Sequence, residues 1–245
     1  MHAARSTSAA DALHAAQMPA DRLRDEFTPA EVLSTETAFH GYVWDVYRET
    51  IRVPETDEPL TRDFVQHTGA VAIAVLDAAD RILLIQQYRH PVLCRDWEIP
   101  AGLLDIAGED PLAAAKRELY EEADLRAGQW HLLADQLSTP GGVSETLRIY
   151  LARDLTPVPE ADRHVRDGEE HGIVPAWIPL TEAAAAVRAG RVTNGTAALA
   201  ILHAELSRSG GFSDLRAADE PWQAREVQLR TRGTRTASGP AADGS

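Results

Sequence analysis

AGLLDIAGEDPLAAAKRELYEEADL, residues 101–125, joins a glycine-bearing loop to an amphipathic helix. Gly102 and Gly108 punctuate the loop. Asp110 is placed to cap the first N–H groups, and Pro111 stands where a helix tolerates a missing N–H and a fixed φ. Leu112, Ala115 and Leu119 recur at helical spacing and predict a buried stripe. Glu118, Glu121 and Glu122 lie three and four apart, so their carboxylates crowd one face, expected to be exposed. Like charges so spaced destabilise a solvated helix by roughly 0.2–0.5 kcal/mol per pair. Arg117 interleaves one positive charge. A hard divalent cation would remove the penalty, because such ions take carboxylate oxygens as ligands. Glutamate spacing alone favours an ordinary solvated acidic face; the glycine loop and the flanking residues reverse that preference.

The stretch resembles the Nudix box: Gly, a spacer, Glu, seven residues, then Arg-Glu-aliphatic-x-Glu-Glu-x-Gly-aliphatic. Gly102, Glu109, Arg117, Glu118, Leu119, Glu121, Glu122 and Leu125 fill it. There are two departures. The spacer after Gly102 is one residue longer than the general pattern, as in some ADP-ribose pyrophosphatases. Asp124 stands where the pattern has its last Gly. That Gly ends the helix in a left-handed conformation, which Asp tolerates better than most residues. Some lost stability and no lost chemistry are expected there.

Outward from the box, QQYRHP (86–91), WEIPAGLLD (97–105) and a proline-bearing loop are similar to the ADP-ribose pyrophosphatase branch. In that branch a proline lies sixteen positions past the last Gly of the box; counted from Asp124, this is Pro140. The resemblance spans roughly Phe39 to Leu206. It implies an α/β fold, a Nudix-type α/β/α sandwich with a mixed sheet, preceded by a small N-terminal antiparallel β region.

It also implies an activity: Mg²⁺-dependent hydrolysis of the pyrophosphate bond of ADP-ribose to AMP and ribose 5-phosphate by metal-activated water, with Mn²⁺ as an alternative ion. Carried over by residue, Glu118, Glu122 and the backbone carbonyl of Ala101 would be the metal ligands, with Glu121 beside them as a catalytic group. Arg89 is the first choice for substrate phosphate, because a guanidinium offers a planar fork to phosphate oxygens. A salt bridge at a strand end is the competing reading. Arg62, Glu98 and Pro140 complete the substrate-binding set.

Glu145 is the expected general base, on a loop whose Gly141 and Gly142 permit closure. It matches the family position by its distance from Arg148 and Tyr150. Glu169 and Glu170, in a charge-rich loop, are its rivals. His67 and His90 receive only structural roles. Two alternatives stay open: hydrolysis of another sugar nucleotide or a dinucleotide, and a catalytically silent ADP-ribose sensor. Pairing as a homodimer through N-terminal strands is a further implication of the resemblance.

Composition bounds these readings. The 245 residues are 44% hydrophobic, enough for a substantial core. A net charge of −14 argues against sequence-independent nucleic-acid binding. It does not argue against a small nucleoside diphosphate sugar, since metal ions neutralise an anion locally. There is no long apolar run for a membrane span and no signal-peptide pattern. The single cysteine, Cys94, cannot form an internal disulfide, which fits a reducing cytoplasm, and reads as a packing thiol.

The expected organisation is a flexible leader over 1–37, an N-terminal β region over 38–68, a Nudix hydrolase domain over 69–208 and a disordered tail over 209–245. Within the tail only Trp222 is suited to docking. AVAIAVL (70–76) predicts a strand buried on both faces. RILLIQQYR, GQWHLLADQL, TLRIYLAR and IVPAWIPL predict further strands, the last interrupted at Pro175. Thr181 and Asn194 are the expected starts of two helices, ending near Gly190 and Gly210. Tyr42, Trp44, Tyr47 and Phe64 are each read as ordinary sheet core.

Overall fold

The computed structural model describes residues 17–165 and 172–233. Three strands come first, β1 (Glu31–His40), β2 (Asp45–Arg52) and β3 (Leu60–Gln66), followed by β4 (Ala70–Val75), β5 (Arg81–Arg89), β6 (Cys94–Glu98) and β7 (Ala101–Leu103). Helix α1 (Pro111–Ala123) leads into β8 (Leu125–Leu137), β9 (Thr146–Pro157) and β10 (Val174–Pro179). Helices α2 (Leu180–Arg188) and α3 (Gly195–Ser209), a short β11 (Arg216–Ala217) and helix α4 (Gln223–Arg232) complete the described chain.

The sandwich is built on β4. It pairs parallel with β9 and antiparallel with β7 in a five-stranded mixed sheet of order β11-β8-β9-β4-β7. Every residue of β4 is buried, and successive side chains go to opposite faces. Ala70, Ala72 and Ala74 join the core under α2 and α3, with Leu180, Ala183, Ala200 and Ile201. Val71, Ile73 and Val75 join the core under α1, with Ala114, Ala115 and Leu119. A continuous apolar run is thus what a strand between two helical layers requires.

A second sheet has the order β10-β5-β6. Pro175 is accommodated because, among the described residues, β10 is an edge strand paired only with β5. Cys94 lies on β6, the other edge, and is exposed rather than packed. Thr181 does not cap α2. The helix begins one residue earlier, at Leu180 after Pro179, and the Leu180 N–H goes to the Asp80 carbonyl at 3.1 Å. Asn194 does cap α3, accepting the Ala197 N–H at 3.0 Å.

The N-terminal antiparallel sheet β1-β2-β3 starts at Glu31, inside the expected leader. All ten residues of β1 are exposed, so the strand has no apolar alternation to announce it. Arg52 reaches Glu31 at 2.8 Å, and Arg48 bridges Glu36 and Asp63.

The stretch after residue 209, expected to be disordered, forms β11 and α4. Trp222 docks it, at 5% exposure in the core cluster under α1. Arg148 donates to the Glu220 and Pro221 carbonyls, and its guanidinium lies 4.8 Å from the Trp222 ring centroid. The composition hid this segment because its apolar contacts, Phe212, Leu215, Trp222 and Ala224, are scattered among polar residues and form no helical stripe. Residues 1–16, 166–171 and 234–245 lie outside the described residues. Among the described residues, no helix is long and apolar enough to cross a membrane.

Candidate active site

Helix α1 starts and stops as its sequence dictates. The Asp110 carboxylate accepts the Leu112 and Ala113 N–H groups at 3.0 and 3.1 Å. Asp124 ends the helix in the left-handed region, at φ 52° and ψ 37°. Turning Ala115 and Leu119 toward β4 also turns inward the residues three positions on, Glu118 and Glu122. Each is 8% exposed. The carboxylates therefore do not crowd a solvated face; only Glu121 is half-exposed.

Their repulsion is met by Arg117. Its Nε and Nη2 donate to Glu109, both at 3.0 Å, while Nη1 donates to Glu118 at 2.6 Å and Glu121 at 3.0 Å. The guanidinium is held above its ordinary value by Glu109, with burial opposing and Glu118 and Glu121 adding. Glu122 Oε2 accepts the Ala101 N–H at 2.9 Å. A Cβ added at Gly102 would fall on the Glu118 carboxylate, so the glycine is what lets that side chain press against the loop backbone.

Beside this contact opens a cleft of about 500 Å³, whose walls include Ala101, Glu122, Glu98, Arg89 and Glu145. Arg89 and Glu98 meet fork to fork, at 2.6 and 2.8 Å, and Gln87 donates to Glu98 at 3.2 Å. The hydrogen bonds it donates to Glu98 raise the Arg89 guanidinium above its ordinary value against the cost of burial. Arg89 thus forms the strand-end salt bridge and also lines the cleft. Trp44, expected as sheet core, lines this cleft instead.

Glu145 follows a loop that is tied down. The Val65 N–H reaches the Gly142 carbonyl at 2.9 Å, and the Ser144 N–H reaches the Val65 carbonyl at 3.0 Å. Neither Gly141 nor Gly142 has a positive φ. Glu145 also borders a second groove of about 550 Å³, and it is this groove that Arg62 and Pro140 line. The cleft thus gathers Ala101, Glu122, Glu98, Arg89 and Glu145, with Glu118 behind Gly102; Arg62 and Pro140 stand on the far side of Glu145. Glu169 and Glu170 lie outside the described residues.

Two residues near Glu145 carried no usable sequence signal. His67 Nε2 is 3.2 Å from Glu145 Oε1. Gln228 of α4 donates to the Ser144 carbonyl at 2.8 Å. Both partners are distant in sequence, and neither residue belongs to a spacing motif.

Among the described residues, no three His, Cys, Asp or Glu side chains form a metal-holding group by themselves. The donors at the cleft are nonetheless all oxygen: the Glu118 and Glu122 carboxylates, buried beside the Ala101–Gly102 backbone. Hard oxygens next to a cradle that a Cβ would fill fit a hard divalent cation such as Mg²⁺.

The NUDIX domain family model matches residues 66–195. The ADP-ribose pyrophosphatase of Mycobacterium tuberculosis is 38% identical over 202 residues, which cover 82% of this chain and 95% of that protein. The ADP-ribose pyrophosphatase of Bacillus subtilis is 30% identical over 180 residues, covering 73% of this chain and 94% of that one. A crystal structure of an ADP compounds hydrolase matches with a TM-score of 0.60 at 20% identity, over 77% of this chain and all but 1% of its own, a likeness of fold. Box, sandwich and relatives agree: the chain belongs to the NUDIX family and is a Nudix pyrophosphohydrolase.

Proposed function

We propose that the enzyme hydrolyses ADP-ribose to AMP and ribose 5-phosphate with Mg²⁺, Mn²⁺ serving as an alternative. The observation that carries this reading is the meeting, in one cleft, of Glu122 with Glu145 and the Arg89–Glu98 pair, Glu118 lying just behind Gly102 of the same wall. The relatives named ADP-ribose pyrophosphatase supply the substrate. Glu118, Glu122 and the Ala101 carbonyl would hold the ion. When bound, it polarises the phosphoryl oxygens and makes water more acidic.

The remaining work falls to the chain. Glu145 takes a proton from the attacking water. The hydroxyl so formed bonds to one phosphorus as the bridging P–O bond breaks, and the proton that Glu145 took passes to the departing phosphate. Arg89, held in orientation by Glu98, grips a phosphate oxygen pair. Glu121 acts through Arg117, which it shares with Glu118. Arg62 and Pro140 contact the arm of the substrate that passes Glu145 into the neighbouring groove.

Two further readings accompany this one. Among the described residues β1 pairs only with β2 and leaves Val32, Leu33 and Phe39 exposed, which supports a homodimer formed through the N-terminal strands. The exposed thiol of Cys94, the single cysteine, supports a reducing cytoplasm.

The experiment is incubation of the purified protein with ADP-ribose and Mg²⁺. AMP and ribose 5-phosphate in equal amounts are expected. No AMP release at neutral or alkaline pH overturns the reading. Faster turnover of another nucleoside diphosphate sugar, run alongside, moves the substrate assignment.

A further inference from the structure

His67, just past β3, is fixed by four contacts. Its backbone N–H donates to Ser144 Oγ at 2.8 Å. Its ring stacks on Trp44, with centroids 4.1 Å apart and planes 19° from parallel. Its Nδ1 accepts the Gly69 N–H at 3.0 Å. Its Nε2 stands 3.2 Å from Glu145 Oε1.

These contacts settle the tautomer. An Nδ1 that accepts cannot carry the proton, so the neutral ring holds it on Nε2, facing the carboxylate. Gly69 itself is not free to turn. Its φ is +86°, and a Cβ there would meet the Arg225 guanidinium and crowd the Thr146 carbonyl. Arg225 is in turn bonded to the Thr68 carbonyl at 2.8 Å. Burial pushes the His67 imidazolium below its ordinary value, with the Glu145 charge opposing. The ring therefore meets Glu145 as a neutral N–H donor on a fixed mount.

We propose that His67 is a positioning residue for the hydrolysis: its Nε2–H holds Glu145 Oε1 and so aims Oε2 at the water to be deprotonated. This rests on the reading of Glu145 as general base. Glu145 has the freedom of a flexible side chain, and the base must lie within hydrogen-bond reach of its water. A mount on one oxygen restricts the other without adding a charge to the site.

The test compares His67→Phe, His67→Gln, Glu145→Gln and the double variant His67→Phe/Glu145→Gln. Phe keeps a flat ring for Trp44 and removes the donor; Gln restores an N–H. His67→Phe is expected to lower kcat about 10- to 100-fold with KM within about twofold. His67→Gln should regain part of the loss. In the Glu145→Gln background, His67→Phe should cost nothing more.

Wild-type kcat in His67→Phe, or a full additional loss in the double variant, overturns the proposal. Undiminished turnover in Glu145→Gln alone overturns the base assignment beneath it, a different and separately visible failure. Should His67→Phe not fold, His67→Asn decides, since its amide is too short to reach Glu145. Wild-type kcat in that variant overturns the proposal, and a lowered kcat with unchanged KM upholds it.

Discussion

Gly102 lies so close to Glu118 that a single added methyl would occupy the place of the carboxylate. The glycine is not needed for a left-handed turn; it is needed for the room it leaves. Gly102→Ala should therefore displace Glu118 and spare the fold, because the obstruction is side chain and not backbone. The expected outcome is a loss of Mg²⁺-dependent turnover with a melting temperature within a few degrees of wild type. Turnover equal to wild type would show that the carboxylate is not needed where it now sits.

Glu122→Gln is the complementary change. The amide oxygen can still accept the Ala101 N–H, so the loop contact survives while the charge goes. Turnover should fall by about 100-fold or more, the scale for losing one preorganised electrostatic partner of the transition state. Calorimetric titration with Mg²⁺ should show weakened uptake in the same variant. Full activity with normal uptake would remove Glu122 from the metal assignment.

What the sequence disclosed follows from where the information lay. The cap at Asp110, the left-handed end at Asp124 and the buried run of β4 are local, set by residue types at fixed spacing. The burial of Glu118 and Glu122 is not legible in the same way, because spacing gives a shared face but not which way it turns. That direction is set by β4, which receives Ala115 and Leu119. His67 and Gln228 were invisible because their partners on the Glu145 loop arrive only through the fold. Strand β1 carries no sequence signal because, with no buried face, it has no alternation.

Trp222 should prove as important to stability as any core residue. It is buried under α1, stacked by Arg148, and it anchors the helix whose Gln228 holds the Glu145 loop. Trp222→Ala should destabilise by about 3–5 kcal/mol, the range for losing a buried aromatic side chain. Urea unfolding gives the number directly. A change below about 1 kcal/mol would mean that α4 is not held by this residue.

The same burial that keeps His67 neutral makes stability depend on pH. The unfolded chain protonates this ring at its ordinary value of 6.5, whereas the native ring takes the proton only at lower pH. Between those two values the unfolded state binds a proton that the native state does not, so stability rises with pH across that window. The contribution is complete above 6.5 and is lost as pH falls through the window toward the lowered native value. Urea midpoints taken from about pH 7 down to about pH 5 should therefore decline, and His67→Phe should decline less steeply over the same range. Parallel slopes for the two proteins would show that another group, not His67, sets the acid sensitivity. A steeper slope in the variant would mean that the native ring gains a proton more readily than its burial implies.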